Sequence, residues 1–418
     1  MSSDDANAPH VRSRGPRHAA APGARFYRPR FHGRDVKAGL YFEDPVATIL
    51  VPSLEGAPST TKQEVDVKNV EYVASYNWTN ASKATMIVPG SPPVWSEPSE
   101  ALTLSPDEGY RYVDQDAFRM KANPLLPIMV AADVVGKKID WRDIDFIGDR
   151  TSLLTLLGWI QGEDHPKYFR IDMELAGDHT IMLNRWESRD KQKMSGKTYG
   201  FHFERATTRP MVQCEDSAAH LRVVRYAFCG FKIMVRFEVD ACLPSASKTA
   251  KPSSVEGLAD AIADLTTKET QSGMKSPSAL IEVIHGGIET SQGALVELTS
   301  RSQKTMQRIN WMKLFSQLYL SGTPHLFIGV HSGGVFEQTI NKHSLNDTEM
   351  TSHKKNAEES LRKLGSLLET IKGVVLEHGK QGRLSLVGMA KDVKIYKRKS
   401  KDSCLPAEVM KRFQVEQK

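Results

Sequence analysis

The 418-residue chain is poor in cysteine. Its four thiols, Cys214, Cys229, Cys242 and Cys404, make no Cys-x-x-Cys pair and have no histidine at zinc spacing. That argues against a structural zinc or a disulfide framework and fits a reducing compartment. No apolar run approaches the roughly 18 residues that a membrane span requires, and the N-terminus has no apolar stretch of the secretory-signal kind. The chain contains no G-x-x-x-x-G-K-[ST] loop and no G-x-S-x-G elbow, which excludes a P-loop phosphate cradle and an α/β-hydrolase nucleophile. Paired DDxxD motifs are also missing, and with them the chemistry of prenyl-diphosphate synthases.

What is present is a globular composition, 40% hydrophobic and 25% charged, sufficient for a sizeable core. The net charge of +6 is unevenly placed. Residues 1–38 hold eight basic and three acidic side chains, residues 391–402 hold six and two, and the body 39–390 is left at −4. A basic balance invites a nucleic-acid partner. An acidic body that binds a polyanion, however, needs a locally basic groove or divalent cations to bridge the repulsion.

Pro9, Pro16, Pro22 and Pro29 interrupt any helix in the first segment, so residues 1–38 read as a disordered basic arm. Phe26, Tyr27 and Phe31 among its arginines suit stacking on single-stranded RNA, and a solubilising tail is the alternative. Residues 39–396 read as one domain with a polar insertion at 244–278, followed by a basic tail at 397–418. KRKSK within that tail is either a nuclear address or a basic surface patch. The expected compartment is the nucleus or the cytoplasm, with no membrane partner.

Apolar periodicity predicts a helix after Asp149, with Leu153, Leu154, Leu157 and Ile160 on one face, and another at RINWMKLFSQLYLSG. A long amphipathic helix carries Leu361, Leu364, Leu367, Leu368 and Ile371 and stops at Gly379. Strand pairs are expected at 168–186, in a hairpin turning at 332–334, and at 384–398. FKIMVRFEVDACLP has the continuous apolar character of a strand buried on both faces.

Acidic residues inside such apolar, strand-like sequence need a reason, because an unpaired buried charge is costly. Glu204 closes YGFHFE, Glu238 and Asp240 lie in MVRFEVDAC, and Glu282 interrupts ALIEVI. Glu238 and Asp240, two apart, would share a strand face. If Glu204 and Glu282 converge there, a hard divalent cation with oxygen ligands relieves the repulsion and suits two-metal hydrolysis of phosphate esters. Taken singly, each acid is also compatible with a structural role.

The order GFHFE, FEVDA, IEVI and then a helix containing SQLYLSGTP resembles the DXO-type RNA 5′-end decapping exonucleases. The resemblance implies an α/β fold of the α+β mixed-sheet kind, a PD-(D/E)XK-nuclease-like core of mixed β-sheets flanked by helices. It implies a metal-dependent hydrolase (decapping, pyrophosphohydrolase or 5′-3′ exonuclease) acting on incomplete, non-canonical or triphosphorylated RNA ends, with Mg2+ or Mn2+, two ions, and a 5′-3′ exoribonuclease as a further partner. Carried over, Arg150 contacts the RNA 5′ phosphate and Gln317 lies on the substrate side. Glu204, Asp240 and Glu282 bind metal together with the Val283 carbonyl, and Glu238, Asp240 and Glu282 are catalytic.

One position departs from the family. Its fourth motif reads E-apolar-K, whereas here Ile284 follows Glu282 and Val283. Losing one electrostatic stabiliser of this kind costs about a hundredfold in rate or more. Lys313, one helical turn before Gln317, is a candidate replacement, whereas His285 should face away in a regular strand. The other reading is a pseudoenzyme that binds RNA ends or scaffolds a separate exoribonuclease.

Overall fold

The computed structural model describes residues 34–54, 65–163, 168–244, 280–379, 382–389 and 392–414. The basic arm up to residue 33 and nearly all of the polar insertion therefore lie outside the described residues. The strands in chain order begin with β1 (Leu40–Leu50), β2 (Lys68–Thr79), β3 (Thr85–Pro89), β4 (Val94–Trp95), β5 (Tyr110–Tyr112), β6 (Phe146–Asp149) and β7 (Tyr168–Ala176). They continue with β8 (Thr180–Trp186), β9 (Lys191–Lys193), β10 (Thr208–Arg209), β11 (Ser217–Phe228), β12 (Phe231–Glu238), β13 (Ala241–Cys242) and β14 (Glu282–Gly286). The last are β15 (Leu295–Ser302), β16 (His325–Ser332), β17 (Val335–Phe336), β18 (Asn341–Ser344), β19 (Leu384–Met389) and β20 (Asp392–Arg398). The helices used below are α1 (Gln115–Arg119), α2 (Leu126–Val135), α3 (Arg150–Ile160), α4 (Gly200–Ala206), α5 (Gln303–Met306), α6 (Trp311–Tyr319) and α7 (Thr348–His378).

Two mixed sheets carry the architecture. The larger runs β1-β20-β19-β7-β8-β6-β12-β11-β2-β3-β14, and the smaller runs β10-β4-β13-β15-β16-β17 with β18 also on β16. The expected strand pairs are present at β7/β8, β16/β17 and β19/β20. β12 lies between β11 and β6, and a core packs on each of its faces, which is why its sequence is apolar on alternate and intervening positions alike. Ile233, Val235 and Phe237 join one core, and Met234 joins the other. The first core lies against α3, α6 and α7, where Leu361, Leu364, Leu367, Leu368 and Ile371 are fully buried. The second packs α2 on the opposite face. Among the described residues no helix is long and apolar enough to cross a membrane.

Several local readings change. GFHFE is helical: residues two apart on a helix diverge by about 200°, and Phe203 is buried while Phe201 is 40% exposed. Stacking of Phe203 on Phe336, with ring centroids 5.0 Å apart, decides against the extended alternation. The segment expected as a basic tail is packed instead. Leu405, Val409 and Phe413 enter the second core, and their lysine-rich flanks conceal this spacing. The segment 291–302 shows no clear period in sequence, yet it supplies β15. This strand pairs in parallel with β16 through α6, the usual helical crossover between parallel strands.

Gly329 in β16 has no room for a side chain, because a Cβ there would stand 2.4 Å from the Phe203 ring. Gly329→Ala should therefore destabilise the protein by about 1–3 kcal/mol, the usual cost of overpacking, and disturb α4. Urea unfolding measures this, and an unchanged midpoint would contradict the packing described.

Candidate functional site

The site forms where the two sheets face each other. β6 ends at Asp149, whose carboxylate is held by Arg236 (Nε to Oδ1 2.6 Å, Nη2 to Oδ2 3.0 Å), and α3 starts at the next residue. Arg150, buried at that first helical position, donates to Glu297 Oε2 at 3.2 Å and to Ser321 Oγ at 3.3 Å. Its guanidinium also lies over the Phe237 ring, 5.3 Å from the centroid. Gln317 of α6 donates Nε2 to the other oxygen of Glu297. Glu297 is thereby fixed by side chains from two helices, and Ser321 in the turn after the second helps to hold the arginine.

Around Glu297 the chain gathers further carboxylates. Asp240, just past the end of β12, accepts the Leu298 N–H at 2.8 Å, which ties the first sheet's exit to β15. Loss of hydration raises the Asp240 carboxyl well above its usual range, and Glu297, Glu204 and Glu238 add to the rise. Glu204 on α4 is pushed up to about 8, first by loss of hydration, then by Glu238, Glu297 and Asp107. Glu238 touches solvent but is hemmed in by protein. Desolvation, Asp116 and Glu297 raise it to about 7, against the pull of Arg150.

Beneath this cluster Arg236 holds a second, compensated one. It donates Nη1 to Pro124 O at 2.8 Å and approaches Asp116 Oδ1 at 3.1 Å, while Tyr76 Oη and Trp78 Nε1 donate to the same oxygen at 2.6 Å and 2.9 Å. Burial still raises Asp116 to about 6. These buried bonds lock the end of β12, the start of α3 and α1 to one another.

The residues singled out from sequence fall into two groups. Arg150, Glu204, Glu238, Asp240 and Gln317 come together. Glu282 and Val283 do not. Among the described residues, β14 is the outermost strand of the large sheet and pairs with β3 alone. There Glu282 is exposed, bonded to Lys83 Nζ at 2.9 Å and to Thr85 Oγ1 at 3.2 Å, and Lys83 lowers its carboxyl below the usual range. An edge strand can carry such a charge in water, so the apolar flanks misled. Glu297 occupies the place expected of Glu282, and Leu298 that of Val283. The residue two beyond Glu297 is Thr299, so here too no lysine follows. Lys313 lies exposed on α6, its backbone N–H capped by Asn310 Oδ1 at 3.0 Å. Sequence reasoning also missed Asp107, buried with its Oδ1 taken by the His202 N–H at 3.1 Å. The one available signal for Glu297 was an acid flanked by Val296 and Leu298, in the segment that precedes the Gln317 helix.

The donor set is carboxylate oxygen throughout, the chemistry that suits a hard divalent cation. Among the described residues, no three Asp, Glu, His or Cys side chains are yet grouped closely enough to hold one.

This architecture is shared with solved structures. Scheffersomyces stipitis Rai1 in complex with (3′-NADP)+ and calcium ion matches with a TM-score of 0.55 at 11% identity, over 84% of this chain and 97% of that one. Candida albicans Rai1 in complex with pU5-Mn2+ matches with a TM-score of 0.52 at 13% identity, over 84% and 96%. The fold is therefore of the DXO type, mixed α+β with large mixed sheets flanked by helices, in a divergent form. A family model described as a domain of unknown function, DUF8563, matches residues 57–414, and the chain belongs to that family. No curated protein sequence matches it.

A pH dependence follows from Glu204. The folded protein keeps its proton up to about 8, whereas the unfolded chain releases it near the ordinary 4.5. Between those values folding takes up a proton, so stability falls as pH rises. In chelator-treated protein the urea midpoint should drop between about pH 5 and 8, and Glu204→Gln should flatten the slope. An equal slope in both proteins would show that Glu204 titrates normally.

Proposed function

We propose that the cleft binds a divalent cation and acts as a metal-dependent hydrolase at RNA 5′ ends. The observation that carries this is the convergence of Glu204, Glu238, Asp240 and Glu297 from one helix and two strand segments, with Arg150 as the cation bonded among them. Evolution of so much repulsion in a packed protein makes chemical sense when a cation offsets it.

Glu204, Asp240 and Glu297 would hold Mg2+ or Mn2+, with the Leu298 carbonyl as a further oxygen. A bound ion of this kind polarises a phosphoryl oxygen and neutralises charge that develops on it. The chain's own groups do the rest. Arg150 and Gln317, both on Glu297, orient that carboxylate and present donors to an incoming phosphate. Glu238, the most open of the four, accepts a proton from the attacking water. The Rai1 structures of the same fold hold Ca2+ with (3′-NADP)+ and Mn2+ with pU5, which supports a divalent ion together with a 5′-terminal nucleotide as the matching ligands. Protein partners such as a 5′-3′ exoribonuclease and a nuclear or cytoplasmic address remain expectations from sequence.

The absence of lysine after Glu297 favours a second reading, a protein that binds RNA ends without cutting them. Incubation with Mn2+ and 5′-triphosphate, NAD-capped and 5′-monophosphate RNAs distinguishes the two. Hydrolysis of at least one is expected. Asp240→Ala should reduce its rate at least a hundredfold, on the order of what loss of a single electrostatic stabiliser costs, while Glu282→Ala should leave it intact. RNA binding without product from any of these ends would establish the non-catalytic reading instead.

A further inference from the structure

β15 carries a cation that the arrangement above does not use. Arg301 follows Thr299 by two residues and Glu297 by four, so all three share one face of the strand. Its Nη1 donates to Thr299 Oγ1 at 2.8 Å and to the Ser300 carbonyl at 2.9 Å. Both acceptors are neutral, and among the described residues Arg301 has no ion pair with a carboxylate. The side chain is half-buried, and lost hydration pulls its charged form down. A guanidinium removed from water, without a counter-ion and with Nε and Nη2 uncommitted, is suited to an anion that arrives from outside.

The space beside it fits such an anion. A cavity of about 530 Å³ is lined by Arg301, Arg111, Lys193 and Lys197, and Glu204 forms part of the same wall. It is thus continuous with the carboxylate cleft through Glu204. Phe201, 40% exposed, stands in the same wall with the Arg111 guanidinium 5.8 Å from its ring centroid. Cations along a groove with an exposed aromatic ring are the elements that bind single-stranded nucleic acid through its phosphates and by base stacking.

We infer that Arg301 is a substrate-binding residue that grips a phosphate of single-stranded RNA in this cavity, next to the end held at the carboxylates. The inference rests on the reading of the cleft as an RNA-end site. It assigns the positive charge absent at Thr299 to a residue two positions further along the strand. Being a guanidinium, Arg301 stays charged throughout the working pH range and contributes binding and orientation rather than proton transfer.

The test is equilibrium binding of a short 5′-phosphorylated oligouridine in Ca2+, by fluorescence anisotropy at several salt concentrations, alongside calorimetric titration with Mn2+. Arg301→Met should weaken RNA binding about 10- to 100-fold, the usual value of a charged hydrogen bond. It should also shrink the salt slope by about 0.7 for each phosphate that the variant no longer neutralises, with Mn2+ affinity and melting temperature unchanged. Arg301→Lys, which keeps the charge but not the fork, should recover part of the affinity and guards against misfolding of the methionine variant. Unaltered RNA affinity in both variants, with Mn2+ binding and RNA binding intact in the parent, would overturn the role of Arg301 alone. A parent protein that binds neither Mn2+ nor RNA would overturn the cleft reading and this inference with it.

Discussion

The ion pair between Arg150 and Glu297 joins the first residue of α3, anchored on the large sheet, to the third residue of β15 in the small one. Both partners are buried, so removing either would leave an uncompensated charge, a loss of about 3–5 kcal/mol in comparable cases. The pair also fixes geometry. With Gln317 and Ser321 on the same two side chains, it sets how far β15 stands from the end of β12. That spacing in turn allows Asp240 to accept the Leu298 N–H. The positions of Glu297 and Asp240 are thus referred to one buried ion pair between sheets.

Such a cleft is tolerable only because charge is balanced unequally around it. On one side Arg236 neutralises Asp149 and Asp116 with nearly ideal geometry, in a layer sealed from water. On the other, Arg150 acts on Glu238 and Arg111 on Glu204, yet these two and Asp240 still hold protons longer than free carboxyls do. The contrast between a satisfied acidic layer and an unsatisfied one, stacked along the same strand, separates framework from function. Hydrogen-bonded charges hold the elements in place, and uncompensated ones mark where a ligand belongs.

Much of this was legible in sequence where periodicity and chemistry agreed. The α7 leucines, the β12 run and the Arg150 helix each combine an apolar pattern with a clear boundary, and the structure keeps them. Glu282 failed because an apolar strand flanking an acid looks the same whether the strand is central or at an edge. Its place at the edge of the sheet among the described residues, beside β3, and the nearby Lys83 reveal that its charge faces water. Glu297 escaped because its strand begins in GALVE and drifts into TSRS, too polar to register as a core strand, although its first half is buried. The GFHFE motif shows the same limit: five residues satisfy both a strand alternation and a helical turn, and Phe336, more than a hundred residues away, makes the choice.

Net charge counted along the sequence does not say where each cation acts. Part of the basic excess at the C-terminus is used internally, since Arg398 faces Asp172 at 3.6 Å and Lys394 faces Asp392 at 3.5 Å. The first pair ties β20 to β7, and the second lies within β20 itself. Conversely, the acidic body is not acidic everywhere. Arg111, Lys193, Lys197 and Arg301 collect around one cavity that adjoins Glu204. An acidic protein that meets a polyanion needs either a basic groove or a bridging cation. Here the fold sets a basic groove directly against a site whose donors suit the cation. A phosphate chain laid along that groove would therefore reach the carboxylates already neutralised over most of its length, with only its terminal group dependent on the metal.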